Sequence, residues 1–193
     1  GNCSSRKAAD NRMSVSWLTL PGGIITVKAR TQSSFGYTIN GPPTATVGGN
    51  YGALFIETVP PAGKGGAFVS RVERIGTLFY LTVSGNLNLK GSIESLKVPW
   101  YQAAAPILGT LRMRNDGNTH FIAEGTAQLS SVFGKIGQPV AFKGAVLPGT
   151  IRRFELKLPS SAPIGLYKMT ATVSYLDREE TVSAWVLLMP RVT

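Results

Sequence analysis

The sequence predicts an all-β protein, and three observations lead there. Apolar and polar residues alternate with period two from Ser14 onward, with β-branched and aromatic residues prominent throughout. The 22 Gly and 12 Pro are concentrated at breaks between the alternating runs. No stretch of about a dozen residues carries the periodicity of an amphipathic helix, and charged residues, 16% of the chain, are too sparse for a coiled coil.

Taken in order, the strand signals fall at residues 14–20, 24–30, 34–40, 50–58, 67–73 and 77–86, then at 92–97, 107–114, 125–131, 140–143, 151–157, 165–175 and 178–188. Turn chemistry separates them. Pro21-Gly22-Gly23, Gly41-Pro42-Pro43 and Pro60-Pro61-Ala62-Gly63 punctuate the first half, and Asn115-Asp116-Gly117-Asn118, Leu147-Pro148-Gly149 and Ser160-Ser161-Ala162-Pro163 the second. These residues supply positive φ or fix φ near the turn value. About thirteen short strands at this rhythm fit β-sandwiches best.

Ser84-Gly85-Asn86, followed by a fresh strand signal from Ile93, marks a boundary. The organisation expected is a polar basic arm at 1–13, a first sandwich at 14–87 and a second at 88–193. The second has the length and the roughly seven strands of a complete immunoglobulin-like sandwich. The first opens with an arm unlike a strand and lacks its N-terminal strands, so the fold expected is two tandem immunoglobulin-like β-sandwiches, the first incomplete. Exposed sheet edges in such a unit invite pairing with another chain, or with the arm itself. Trp17 and Trp185, each inside an alternating strand, read as core anchors. Trp100 and Tyr101 lie on a connection after Pro99 and read first as an interdomain wedge, second as a stacking platform for a ligand.

The formal net charge of +10 favours anionic partners: nucleic acid, anionic lipid or acidic polymer. Eight basic and three acidic residues precede Asn86, and twelve basic and seven acidic follow from it, so each part carries +5. The densest clusters are Arg6, Lys7 and Arg12 in the arm, Arg112 with Arg114, and Arg152 with Arg153. At alternate positions of one strand, Arg112 and Arg114 share a face. The candidate binding surface is Arg112, Arg114, Arg152, Arg153, Trp100 and Tyr101; the competing reading of the arginines is a solvated strand face that keeps the protein soluble.

The residues give catalysis little to work with. Cys3 has no intramolecular disulfide partner, and His120 as the single histidine rules out a two-histidine metal site within one chain. No nucleophile elbow of the form Gly-x-Ser-x-Gly occurs. Of the ten carboxylates only Asp177-Arg178-Glu179-Glu180 is clustered, and it reads as a solvated hairpin tip. Asn115-Asp116-Gly117-Asn118 holds too few oxygen ligands for calcium, and the glycine runs 48–52 and 63–66 lack the phosphate-binding pattern. No catalytic, metal or cofactor residue is assigned.

Several segments resemble bacterial surface proteins related to the WxL-interacting protein family. They are Trp17-Leu18-Thr19-Leu20, the turn Pro43 to Gly48 running into Tyr51-Gly52-Ala53, Arg114-Asn115-Asp116-Gly117-Asn118-Thr119-His120, Phe133-Gly134-Lys135, Val146-Leu147-Pro148-Gly149-Thr150-Ile151-Arg152-Arg153-Phe154, Gly165-Leu166-Tyr167 and Thr170 to Tyr175. The resemblance covers about residues 15–190, four of the motifs in order. It implies an extracellular pair of immunoglobulin-like domains at the bacterial cell envelope, binding peptidoglycan or surface proteins without catalysis. Such proteins carry a signal peptide before the pair and a transmembrane helix after it. The chain departs at both ends, with the arm where two or three strands are expected and Met189-Pro190-Arg191 where the anchor would follow, and so reads as a processed or truncated ectodomain.

The function expected is therefore a non-catalytic cell-surface protein that binds a cell-wall polymer or another envelope protein, with self-assembly through sheet edges and membrane attachment only through a segment outside this chain. Two alternatives stand beside it: a viral or virus-like structural protein, against which the arm's three basic residues count, and a carbohydrate-binding accessory module using Trp100 and Tyr101.

Overall fold

The computed structural model describes residues 15–22, 24–28, 30–59, 72–158 and 164–189. Among the described residues the regular structure is all strand apart from one 3-10 turn, and the chain divides into two compact units, residues 1–85 and 86–193.

In the first unit a 3-10 turn at Val15–Trp17 leads into β1 (Leu18–Thr19), which pairs antiparallel with β2 (Thr38–Ile39). Trp17 is buried, as expected, and its ring lies against Gly41. The long strands β3 (Gly48–Glu57) and β4 (Arg74–Val83) form a separate antiparallel ribbon in continuous register from Gly48↔Val83 to Glu57↔Arg74. One face of the ribbon buries Leu54 and Phe79, with Tyr37 edge-on to Phe79 at 5.2 Å. The other carries Phe55, Leu78 and Tyr80 exposed.

The strand expected at 24–30 does not form among its described residues, where Ile24, Ile25 and Val27 are exposed. Alternation marks a chain that suits a sheet, and hydrogen bonding to a neighbour is what makes it a strand. The expected strand at 34–40 shrinks to Thr38–Ile39 for the same reason. The strand expected at 67–73 lies outside the described residues except for Val72 and Glu73, which are not strand, and the arm 1–13 lies outside them altogether.

The second unit is a two-sheet sandwich. Its strands are β5 (Gly91–Lys97), β6 (Tyr101–Gln102), β7 (Ile107–Asn115), β8 (Phe121–Ser131), β9 (Gly134–Val146), β10 (Ile151–Leu158), β11 (Gly165–Tyr175) and β12 (Arg178–Leu188). One sheet has the order β10-β7-β5 and the other β6-β12-β11-β8-β9. All pairings are antiparallel except β6 with β12, which is parallel. The first strand therefore changes sheets: β5 belongs to one, the chain crosses at 98–100, and β6 joins the edge of the other. Cis Ala105–Pro106 then turns it into β7.

The core lies between the sheets and follows strand parity. Ile107, Leu111 and Met113 of β7 and Phe154, Leu156 and Leu158 of β10 face Ala123, Ala127 and Leu129 of β8 and Tyr167, Met169, Ala171 and Val173 of β11. Trp185 corrects the expectation of a second core anchor: Val186 and Leu188 occupy the inward phase of β12, which leaves Trp185 on the outer face at 55% exposure. The ring sits beside Lys168, 5.9 Å from its Nζ.

Asn115 is the one fully buried polar side chain of this unit among the described residues. Its Nδ2 donates to Thr119 O and Val146 O, both at 2.8 Å, and its Oδ1 accepts from Gly117 N at 2.9 Å. Asn118 then ties the start of the unit down, donating to Asn86 O and accepting from Asn88 N. Gly117 is required at the close approach, because a Cβ there would fall onto the Asn88 carbonyl and 2.9 Å from Lys90 N. Asn115→Ala should lower unfolding free energy by about 3 kcal/mol, since two buried carbonyls and an amide lose their partner together; urea titration measures it.

The β11–β12 hairpin turns on Leu176 and Asp177, both with φ above +45° (48° and 57°). That is the type I′ geometry that twists with the strands and favours Asn-Gly. Leu176 is retained there by packing against the core. Asp177→Gly should raise stability by about 1 kcal/mol by relieving the left-handed backbone, seen as a higher melting temperature.

Candidate functional site

Sheet register decides which arginines meet. On β7 the odd positions Leu111 and Met113 are buried, so Arg112 and Arg114 point to the outer face of the three-stranded sheet. Arg153 of β10 lies directly across from Arg112, and so faces the same way. Lys157, opposite Leu108, and Lys97, opposite Thr110, extend the same face. Five cations, Lys97, Arg112, Arg114, Arg153 and Lys157, thus share it with two carboxylates, Glu94 and Glu155.

Glu94 occupies the β-bulge of β5. The register steps from Ile93↔Met113 to Ser95↔Arg112, leaving Glu94 as the extra residue. The bulge aims its carboxylate at β7, where Oε2 accepts from Arg112 Nε at 2.5 Å and Oε1 from Arg114 at 3.1 Å. Hydrogen bonds from Arg112 first, then Arg114, hold the Glu94 carboxyl below its ordinary 4.5. Arg114 also lies 3.9 Å from Asp116. Arg112 and Arg114 are consequently half neutralised within the protein. Arg153 has no hydrogen bond or ion pair among the described residues, and stands beside Arg112 without a counterion.

Arg152 does not join this face. Its Nη1 donates to Ala145 O at 2.8 Å and its guanidinium lies 5.3 Å from the Phe154 ring centre, against Gly144 of β9. It reaches from β10 to β9 while remaining exposed to solvent. Trp100 and Tyr101 also lie elsewhere, at the β6 edge of the five-stranded sheet. Tyr101 donates to Met189 O at 2.9 Å, and the two rings are 5.9 Å apart. Trp100 is 74% exposed. The six residues therefore form two separate groups plus Arg152.

Glu94, Lys97 and Lys157 are the residues that sequence reading missed. Lys157 follows from alternation once Arg153 is placed outward, two steps of two along β10. Glu94 carries no such signal, because the bulge shifts its parity. A shallow open groove crosses the outer face of the other sheet, lined by Glu124, Thr126, Lys143, Thr172 and Glu179, with Lys143 ion-paired to Glu124 at 2.6 Å. Its lysine is spent on that carboxylate, so it offers an anion little. No group of three or more His, Cys, Asp or Glu is placed to hold a metal ion among the described residues.

His120 is half-buried at the start of β8, and burial lowers its pKa below 6.5. No helix among the described residues is long and apolar enough to cross a membrane. No protein-family model matches the chain, and no curated protein matches it.

Glu94 and His120 push stability in one direction with pH, whereas the Tyr175 hydroxyl, raised above 10.0 first by burial and then by its hydrogen bond to Glu180, acts only on the alkaline side. The folded state holds Glu94 below 4.5 and His120 below 6.5, so the unfolded chain takes up protons first as pH falls. The His120 contribution is complete above 6.5 and the Glu94 contribution above 4.5, and each is lost as pH falls through the folded value. Melting temperature should be flat near neutrality and decline in two stages on acidification. Glu94→Gln should remove the more acidic stage alone, as differential scanning calorimetry across pH will test.

Proposed function

We propose that this chain is a non-catalytic binding protein of the bacterial cell envelope, built from immunoglobulin-like sandwiches, that engages an anionic cell-wall polymer through the outer face of its three-stranded sheet. The observation that carries the reading is the Arg112–Arg153 pair, directly opposed residues on neighbouring strands, with Arg112 sharing Glu94 and Arg153 without an ion pair among the described residues. Like charges in that position repel, and an anion laid between them relieves the repulsion. Lys97 and Lys157 continue the positive face on either side of β7, and a flat sheet face suits an extended polymer better than a small molecule, which needs a concave site.

The immunoglobulin-like assignment is supported by the strand order and by the sheet switch of the first strand, which leaves β6 parallel to β12. The envelope assignment rests on the resemblance to proteins related to the WxL-interacting family. In that setting the protein is extracellular, at the cell surface, and adhesion or assembly follows from binding.

Sedimentation with purified cell wall bearing anionic polymer tests it. Binding should weaken as salt rises, because the screening length shortens to about 8 Å at physiological ionic strength. Arg153→Glu should reduce affinity by about tenfold or more through charge reversal beside Arg112. Glu94→Gln should strengthen binding several-fold by releasing Arg112 and Arg114 from their counterion. Failure of the wild-type protein to bind at any salt concentration, or indifference to both substitutions, overturns the reading.

A further inference from the structure

Among the described residues of the second unit, the most exposed apolar side chains stand at the end marked by the β8–β9 hairpin. Ser131 pairs with Gly134, leaving Val132 and Phe133 as the tip, 86% and 97% exposed. The turn holds itself without them: Phe133 N donates to Ser131 Oγ at 3.1 Å, and Gly134 takes the positive φ of +126°. Two large apolar side chains therefore project from the ribbon, almost fully exposed. Turn positions of this kind ordinarily carry polar residues.

The neighbouring strand ends share this character. Antiparallel register brings the start of β11 and the end of β12 alongside the tip end of β8, through Lys168↔Ser130 and Lys168↔Trp185. Leu166, two residues nearer the tip than Lys168, is exposed, as are Ile164 before it and Trp185 in the Lys168 row. One row back from the tip, four strands present Lys135, Ser130, Lys168 and Trp185 side by side. Two lysines thus flank the apolar projection with an exposed indole beside them. Along this sheet the nearest carboxylates, Glu124 on β8 and Glu180 on β12, stand about 16–20 Å further back at strand rise. The turns at the opposite end carry Asp116, Asn118 and Asp177, and the apolar residues exposed there, Leu87, Leu89, Ile122 and Ile151, are each less exposed than Val132, Phe133 or Ile164.

We infer that this end of the second unit docks on an anionic lipid surface, with Val132 and Phe133 entering the acyl boundary and Lys135 and Lys168 meeting the headgroup phosphates. The proposal goes beyond the polymer-binding face, which lies on the other sheet. The apolar residues project from a convex tip, a shape that a bilayer interface accepts without a complementary pocket. Trp185 stands in the cationic row itself, beside Lys168, at the level where an amphipathic ring is favoured at a membrane interface. The cationic row lies where anionic headgroups would be, and the net charge of +10 adds attraction at a distance.

The experiment is co-sedimentation of the full chain with phosphatidylcholine vesicles, with and without phosphatidylglycerol. Binding is expected only where phosphatidylglycerol is present, with a blue shift of tryptophan emission. The double substitution Val132→Ser with Phe133→Ser should weaken partitioning by at least about tenfold, and Lys135→Gln or Lys168→Gln by about fivefold each. Circular dichroism and melting temperature of the tip variant should match the parent, as the tip side chains are almost fully exposed. Absence of vesicle binding by the parent, or equal binding by the tip variant, overturns the proposal. So does self-association of the parent without vesicle binding that the tip variant abolishes, which would assign the tip to a second copy of the chain.

Discussion

The second unit depends on one constraint: β7 and β11 are each hydrogen-bonded on both sides and each bury every second side chain against the other sheet. A slip of one residue in either strand would turn Met113 or Met169 outward and a lysine, threonine or arginine inward. Register is therefore fixed by burial, and whatever lies on the outer faces is placed by the same rule. Arg112 and Arg153 meet because Leu111 and Phe154 must both be inside.

Departures from that rule are local and have identifiable devices. The β5 bulge lets Glu94 reach two arginines that strict alternation would keep from it. On β9, an edge strand, Pro139 and the positive-φ Gly137 interrupt the ladder where the register to β8 also shifts. A proline at an edge blocks further strand addition. The other edge of that sheet is the two-residue β6, too short to template a partner. Asn115 anchors the polar end by satisfying three backbone groups at once, and Asn118 secures the entering chain over the same turn. In the first unit, among the described residues, β3 and β4 pair only with each other and bear apolar side chains on both faces. A two-stranded ribbon of that composition is stable only when covered.

Much of the fold was legible. The bounds of β11 and β12 were readable to the residue from the alternation on both sides of Leu176-Asp177, although Arg178, Glu179 and Glu180, expected in the hairpin tip, are the first residues of β12. Strands 107–114 and 151–157 differ from β7 and β10 only by a terminal residue. β8 and β9 extend well beyond 125–131 and 140–143, since Gly125, Gly137 and Pro139 break the pattern without breaking the ribbon. The two-residue β6 had no signal at all, being made by its parallel neighbour. Trp185 was misplaced because an aromatic in an alternating strand has two phases available, and only the partner sheet says which is inside. Of the candidate site, sharing of a face by Arg112 and Arg114 was readable, whereas the contact with Glu94 was not.

The sequence by itself determined the all-β class, the identity of most strands in the second unit, the turns, and the even division of a large positive charge. These are short-range properties, set by side-chain period and by the φ preferences of Gly, Pro, Asn and Asp. Tertiary structure decided which charges are neighbours, that Arg152 leans on β9 and the Phe154 ring while Arg153 stands beside Arg112, and that Val132, Phe133, Ile164 and Leu166 come together at one end of the sandwich. Residues 94, 112 and 153 come from three strands distant in sequence, and only the pairing order of the sheet, a long-range consequence of burying one face, brings them together.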